Sequence, residues 1–148
     1  MYTNKALQHF KKPKNMGAME NPDSIGEVGN VVCGDLMKIY LKIGKNKTGQ
    51  EIIKNIKFET YGCVAAIATS SVLTELAKGK TLDQALKIDN QAIVNALDNL
   101  PAIKIHCSVL AADALAEAIY NYLTKNNREV PESLKQKHEN IIKHKTEK

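Results

Sequence analysis

One run constrains this chain more than any other. Met37, Ile39, Leu41 and Ile43 alternate with Lys38, Tyr40, Lys42 and Gly44. A period of two puts the apolar set on one face and the wet set on the other, which is a half-buried antiparallel strand. Such a strand needs a partner beside it and a layer beneath it. Residues 44–50, Gly-Lys-Asn-Lys-Thr-Gly-Gln, are turn chemistry. A second strand follows, with Ile52, Ile56 and Phe58 on one face and Lys57 and Glu59 on the other. The two are predicted to form a hairpin.

The layer beneath comes from helices. From Val64 the small residues Ala65, Ala66, Ala68, Ser70 and Ser71 lead into Leu73 and Leu76, and Gly79 provides an exit. Thr81-Leu-Asp-Gln84 is a capping box that starts a short helix, Asn90 to Leu97 continues helical, and Pro101 is expected to stop it. Leu110, Ala111, Ala114, Leu115, Ala118, Ile119 and Tyr122 form the stripe of the longest helix. A short amphipathic helix is expected at Ala6, Leu7 and Phe10, followed by a loop-rich lead-in punctuated by Pro13, Gly17, Pro22, Gly26 and Gly29. After Asn126-Asn127-Arg128, Pro131, Leu134, His138, Ile141 and Ile142 repeat at helical spacing. The expected class is α+β: a small antiparallel sheet of about three strands, helices packed on one face, and a C-terminal helical extension. The expected division is a domain over residues 1–125 and an amphipathic tail over 126–148.

Charge and hydropathy remove several functions. The net charge is +5, but residues 1–123 carry 14 basic and 12 acidic groups, so the excess is diffuse. Arginine occurs once, at Arg128, which argues against reading nucleic-acid bases. The longest stretch free of Asp, Glu, Lys and Arg runs over 15 residues, 60–74, too short to span a membrane. Met1-Tyr-Thr-Asn-Lys5 opens no apolar signal region, so a cytoplasmic chain is expected.

The chemistry rests on three cysteines, Cys33, Cys63 and Cys107. An odd number in a chain of this type argues against a disulfide framework and for reactive or metal-bound thiols. No pair has the CxxC spacing, so any shared site must be assembled by the fold. Each stands at a junction: Cys33 before Gly34-Asp35 at the start of the first strand, Cys63 after Gly62 between strand and helix, and Cys107 after His106 at the start of the longest helix. The last two fall at helix N-termini, where the partial positive charge favours thiolate. A free cysteine taken singly is most often a small buried hydrophobe. Three beside Gly or ligand-type residues are better read together. Three thiolates with the Asp35 carboxylate or the His106 imidazole make a tetrahedral set for zinc or iron–sulfur chemistry. His9, His138 and His144 lie in charged or amphipathic settings and are assigned structural roles.

These residues resemble a known family. Val32-Cys-Gly-Asp-Leu-Met-Lys38, Tyr61-Gly-Cys63 with Ala66-Ile-Ala-Thr-Ser-Ser71, Lys78-Gly-Lys80 and Leu100-Pro-Ala-Ile-Lys-Ile-His-Cys-Ser108 resemble IscU and the N-terminal domain of NifU, scaffolds for iron–sulfur cluster assembly. The resemblance covers residues 2–122. It implies an α+β fold and a non-catalytic scaffold that builds a 2Fe–2S cluster. Sulfur would come from a cysteine desulfurase of the IscS or NifS type, and the cluster would pass to acceptor apoproteins. It also implies Cys33, Cys63 and Cys107 as cluster and metal ligands, Asp35 and His106 as candidate fourth ligands, and Cys107 as persulfide acceptor. Iron is thus an expected ligand, with zinc in the cluster-free form, and a homo-oligomer is compatible. The motif Leu100, Pro101, Ala102, Ile103 and Lys104 stands where the family binds a DnaK-type chaperone, but the family's second proline is Ala102 here, which weakens that expectation. A related alternative is the SufU-like, zinc-dependent sulfurtransferase, which typically lacks a histidine before its third cysteine and carries an insertion ahead of it. His106 and the uninterrupted segment between Cys63 and Cys107 favour the scaffold. A closed structural zinc module is a third alternative, disfavoured by ligands on Gly-flanked junctions.

Overall fold

The computed structural model describes residues 1–29 and 36–146. Among these, α1 (Asn4–Lys11) precedes a three-stranded sheet of β1 (Ser24–Val28), β2 (Leu36–Lys45) and β3 (Glu51–Tyr61). Then come α2 (Val64–Ala77), α3 (Leu82–Leu86), α4 (Asn90–Ala96), a single 3-10 turn (Ala102–Lys104), α5 (Ile105–Lys125) and α6 (Glu132–Thr146). The strand order is β1-β2-β3, antiparallel throughout. Helices α2 and α5 cover the inner face, where Met37, Ile39, Leu41, Ile53, Ile56 and Phe58 are buried with Leu73, Leu115 and Ile119. The α+β class with packed helices is what the sequence pattern predicts.

Two details differ from expectation. The lead-in around Pro22, Gly26 and Gly29 contains a strand, β1, paired from Ser24↔Leu41 to Val28↔Met37. Gly26 is there for proximity: a Cβ at this position would strike the backbone of Ala114 and Ala118 in α5. A glycine that reads as loop punctuation lets the longest helix lie against the strand. In β3, a register shift at Lys42/Ile43 makes Ile53, with Ile56 and Phe58, the inward residue, and leaves Ile52 half-buried. A bulge reverses the alternation on one side of it, so the expected Ile52–Ile56 face does not survive.

Turn and cap chemistry follow the sequence. Asn46 Oδ1 accepts from the N–H of Thr48 and Gln50, and Gly49 takes φ +85°. Thr81 and Gln84 form the expected capping box. Helix α4 ends before Pro101 can act: Asp98 and Asn99 adopt φ 58° and 98°, and the Asn99 N–H donates to Val94 O at 2.9 Å. Asparagine and aspartate tolerate this region well, so they terminate the helix.

The N-terminal arm is tied to the body at many points. Thr3 Oγ1 donates to Leu97 O, His9 Nδ1 lies 2.7 Å from Ser71 Oγ, and Asn15 Nδ2 donates to Thr74 Oγ1 at 3.0 Å. Gly17 N–H donates to Phe58 O, which seals part of the β3 edge. The buried hydroxyls of α2 serve as the clasps. Helix α6 packs on α5 through Leu134, a stack of His138 on Tyr120 at 3.7 Å, and a His138 Nδ1 contact with Glu117 Oε2 at 2.5 Å. The side chain of His144 lies outside the described part. No helix among the described residues is long and apolar enough to cross a membrane.

Candidate functional site

Strand β3 ends at Tyr61, and Gly62 turns the chain so that Cys63 becomes the N-cap of α2. Its backbone is extended (φ −85°, ψ −174°), as a cap requires, and its side chain makes no full capping hydrogen bond. The sulfur nevertheless faces the N–H groups of Ala66 and Ala65. Forty-four positions later, the turn Ala102–Lys104 leads into α5, and Cys107 is the third residue of that helix. The Cys107 thiol lies near enough to Cys63 to favour its charged form, so the fold joins residues that no sequence spacing connects. Neither forms a disulfide.

Electrostatics at this point favour thiolate. Partial burial works against charge on Cys63, but the Ala66 and Ala65 N–H groups, the Lys104 ammonium and the Cys107 thiol outweigh it. The Cys63 thiol is therefore more acidic than an ordinary cysteine. The effect is reciprocal, and the Cys63 charge holds the Lys104 pKa above its usual value. Tyr2 also reaches the site: burial and then the Cys63 charge raise its phenol pKa, and Lys104 opposes them.

His106 is exposed, and its ring is oriented by its neighbours. Nδ1 lies 3.1 Å from Ile103 O, and Nε2 lies 3.7 Å from Cys107 Sγ. A carbonyl only accepts, so Nδ1 carries the hydrogen in this contact, and in the neutral ring Nε2 keeps its lone pair on the cysteine side. A backbone carbonyl fixing the far nitrogen is also how metal-binding histidines are commonly oriented. Thr69 Oγ1, inside α2, reaches Cys107 O at 3.5 Å and ties the two helix starts together.

The structure thus brings Cys63, His106 and Cys107 to one end of the molecule. Cys33 and Asp35 lie outside the described residues. Among the described residues no group of three His, Cys, Asp or Glu side chains closes a metal cage. The donors present are nonetheless of the right kind for iron or zinc: soft sulfur, favoured as thiolate at Cys63, beside an imidazole nitrogen. Of the segment 100–104, Leu100 is buried while Ile103 is 80% exposed, and Lys104 turns toward Cys63. Sequence reasoning missed Tyr2 and Thr69, and gave Lys104 only a partner-binding role. Nothing local marks Tyr2, since it is the folding of the N-terminal arm that carries it to the cysteines.

Comparison with known proteins agrees with this architecture. Residues 1–129 match the family model described as NifU-like N terminal domain. The chain is 54% identical over 128 residues to "Iron-sulfur cluster assembly scaffold protein IscU 1" of Archaeoglobus fulgidus, covering 86% of this chain and 80% of that one. It is 45% identical over 130 residues to "Iron-sulfur cluster assembly scaffold protein IscU" of Buchnera aphidicola subsp. Schizaphis graminum, covering 86% and 98%. The fold is similar to that of the crystal structure of a nitrogen-fixing NifU-like protein (N-terminal) from Brucella abortus, with TM-score 0.66 and 20% identity over 83% of this chain and 94% of that one. A match over most of the chain at these identities settles the assignment: the protein is a member of the NifU-like N-terminal domain family.

Proposed function

We propose that the protein is a scaffold on which an iron–sulfur cluster is assembled and from which it is passed on. The observation that carries this reading is the meeting of Cys63, Cys107 and His106 at two adjoining helix N-termini, with Lys104 favouring thiolate. Relatives named as IscU scaffolds support it. In this reading Cys33, Cys63 and Cys107 ligate a 2Fe–2S cluster, and Asp35 or His106 supplies a fourth, harder ligand. Iron and sulfide are cargo here, so the chain turns over no small substrate and is not an enzyme. A cysteine desulfurase supplies sulfur, with Cys107 as the persulfide acceptor, and acceptor apoproteins take the cluster. Zinc occupies the same donors in the cluster-free form. Exposed Ile103, within the segment 100–104, is the candidate contact for a chaperone or other partner. The proposed compartment is the cytoplasm. The proposed division keeps residues 1–125 as the scaffold and 126–148 as an appended tail.

The chemistry explains why such a site releases what it builds. Three thiolates hold iron strongly, while an oxygen or nitrogen ligand among them exchanges more readily. Because the ligands must be deprotonated, metal occupancy falls at low pH.

The test is anaerobic reconstitution with iron, sulfide and thiol, followed by an absorption spectrum with iron and acid-labile sulfide assayed together. Visible charge-transfer bands with matching iron and sulfide are expected. Cys33→Ser, Cys63→Ser and Cys107→Ser should each strongly reduce both. A protein that takes up zinc alone, and that accepts persulfide without ever forming a chromophore, would establish the sulfurtransferase reading instead.

A further inference from the structure

The N-terminal arm carries a concentration of charge that cluster assembly does not use. Lys5, Lys11, Lys12 and Lys14 are all exposed, and the first acidic residue of the chain is Glu20. With Gln8 and His9 they line one hollow of about 400 Å³ beside α1. Glu75, the carboxylate that reaches this hollow, is engaged by His9 Nε2 at 3.3 Å. Among the described residues none of the four ammonium groups forms an ion pair. Several cations elsewhere are neutralised: Lys38 by Glu27, Lys42 by Asp23, Lys137 by Asp113 and Arg128 by Glu51.

Helix stability does not account for the cluster. Lys11 and Lys12 at the C-terminal end of α1 suit the helix dipole, but Lys5 lies in the first turn, where positive charge is unfavourable. Lys14 is outside the helix, in backbone held by its own N–H to Ser71 Oγ at 2.8 Å. Four like charges held on one short arm repel one another, and an anionic partner would relieve that repulsion.

Phe10, 38% exposed on the same arm, adds an apolar contact. We propose that the outer face of α1, continued through residues 12–14, is a docking surface for an acidic protein segment. Nucleic acid fits less well, because the patch has no arginine, and of its two rings His9 is held by Ser71 and Glu75, which leaves Phe10 for a base to stack on. A membrane fits less well, because Ala6 on the apolar side of α1 is fully buried against the body and cannot enter lipid. The arm that bears the patch also carries Tyr2 to the cysteines, so a docked partner lies within about one helix length, roughly 12 Å, of that end. The charge and placement of this face are independent of what the cysteines bind.

The test uses the full chain and a fluorescein-labelled polyglutamate peptide with a central leucine, followed by anisotropy at low and physiological salt. The variant K5Q/K11Q/K12Q/K14Q is compared with K47Q/K54Q/K87Q/K125Q, which removes the same charge from exposed lysines elsewhere. The expected result is a loss of about tenfold or more in affinity, and a weaker salt dependence, for the first variant only. Equal losses in both variants, or no loss in the first, would overturn the proposal. Duplex DNA and anionic phospholipid vesicles are titrated alongside, and tighter binding of either than of the peptide overturns it as well.

Discussion

Lys104 is the residue whose charge most directly joins the two cysteine-bearing helices. Its ammonium stabilises the Cys63 thiolate from the turn that leads into α5. Lys104→Gln removes that stabilisation, so the Cys63 thiol titrates at higher pH and alkylates several-fold more slowly near neutrality. Peptide-resolved iodoacetamide labelling across pH reads this directly, and an unchanged profile would show that Ala65 and Ala66 suffice. Asp35 is expected to act on retention rather than on assembly. A carboxylate among thiolates competes for iron and also leaves it, so Asp35→Ala should still form a cluster, with longer lifetime in air and slower transfer to an apo-ferredoxin. Equal lifetimes and transfer rates would move the exchanging role to His106. At this scale the sequence is legible where chemistry is local: Cys63, Cys107 and His106, which the structure brings together, stand out by type and setting. Tyr2 does not, because only the tertiary path of residues 3–17 gives it a role.

Between elements, the contact of β1 with α5 leaves no room for a side chain at Gly26. Gly26→Ala forces a methyl group into the Ala114 and Ala118 backbone, and the helix must move away from the strand. A loss of about 1–3 kcal/mol, or somewhat more, is expected from urea unfolding. The clasp of α1 on α2 responds to acid. Burial depresses the His9 pKa more than Glu75 raises it. A depressed histidine contributes stability that is complete above its ordinary value near 6.5 and is lost as pH falls through its lower folded value. Hydrogen exchange of the α1 amides should therefore accelerate as pH drops below about 6.5, after correction for intrinsic rates, and His9→Gln should flatten that dependence. Strand β2 and helix α5 are readable from periodicity, α2 from its run of small residues, and β3 from the turn before it, although the bulge at Lys42/Ile43 hides its inner face. Strand β1 is not readable, because Pro22, Gly26 and Gly29 carry loop chemistry in sequence, while the close approach that requires Gly26 exists only after α5 has docked.

Over the whole molecule, α6 lies beyond the family match, and its Leu134 joins the common core. The family match stops at residue 129, and α6 attaches through one deeply buried leucine, one ring stack and polar contacts. Truncation after Glu129 keeps the Arg128–Glu51 pair and removes the burial of Leu134, worth about 1.5–3 kcal/mol. The shortened protein should melt several degrees lower and still reconstitute a cluster. A stable truncated protein that cannot hold one would show that the tail covers the site.

The clasp of Thr3 on Leu97 has a consequence for the chain as it is made. Ninety-four residues separate the two, and Ser24 with Ala118 and Asn121 with Ile25 span similar intervals. During synthesis these particular contacts therefore close only after more than ninety further residues have been made. Strand β1 can pair with β2, and residues 9–17 can clasp β3 and α2, from sequence made early, but the seal of β1 against α5 must wait until α5 has emerged. The sheet can thus be complete before the helix that covers its first strand exists.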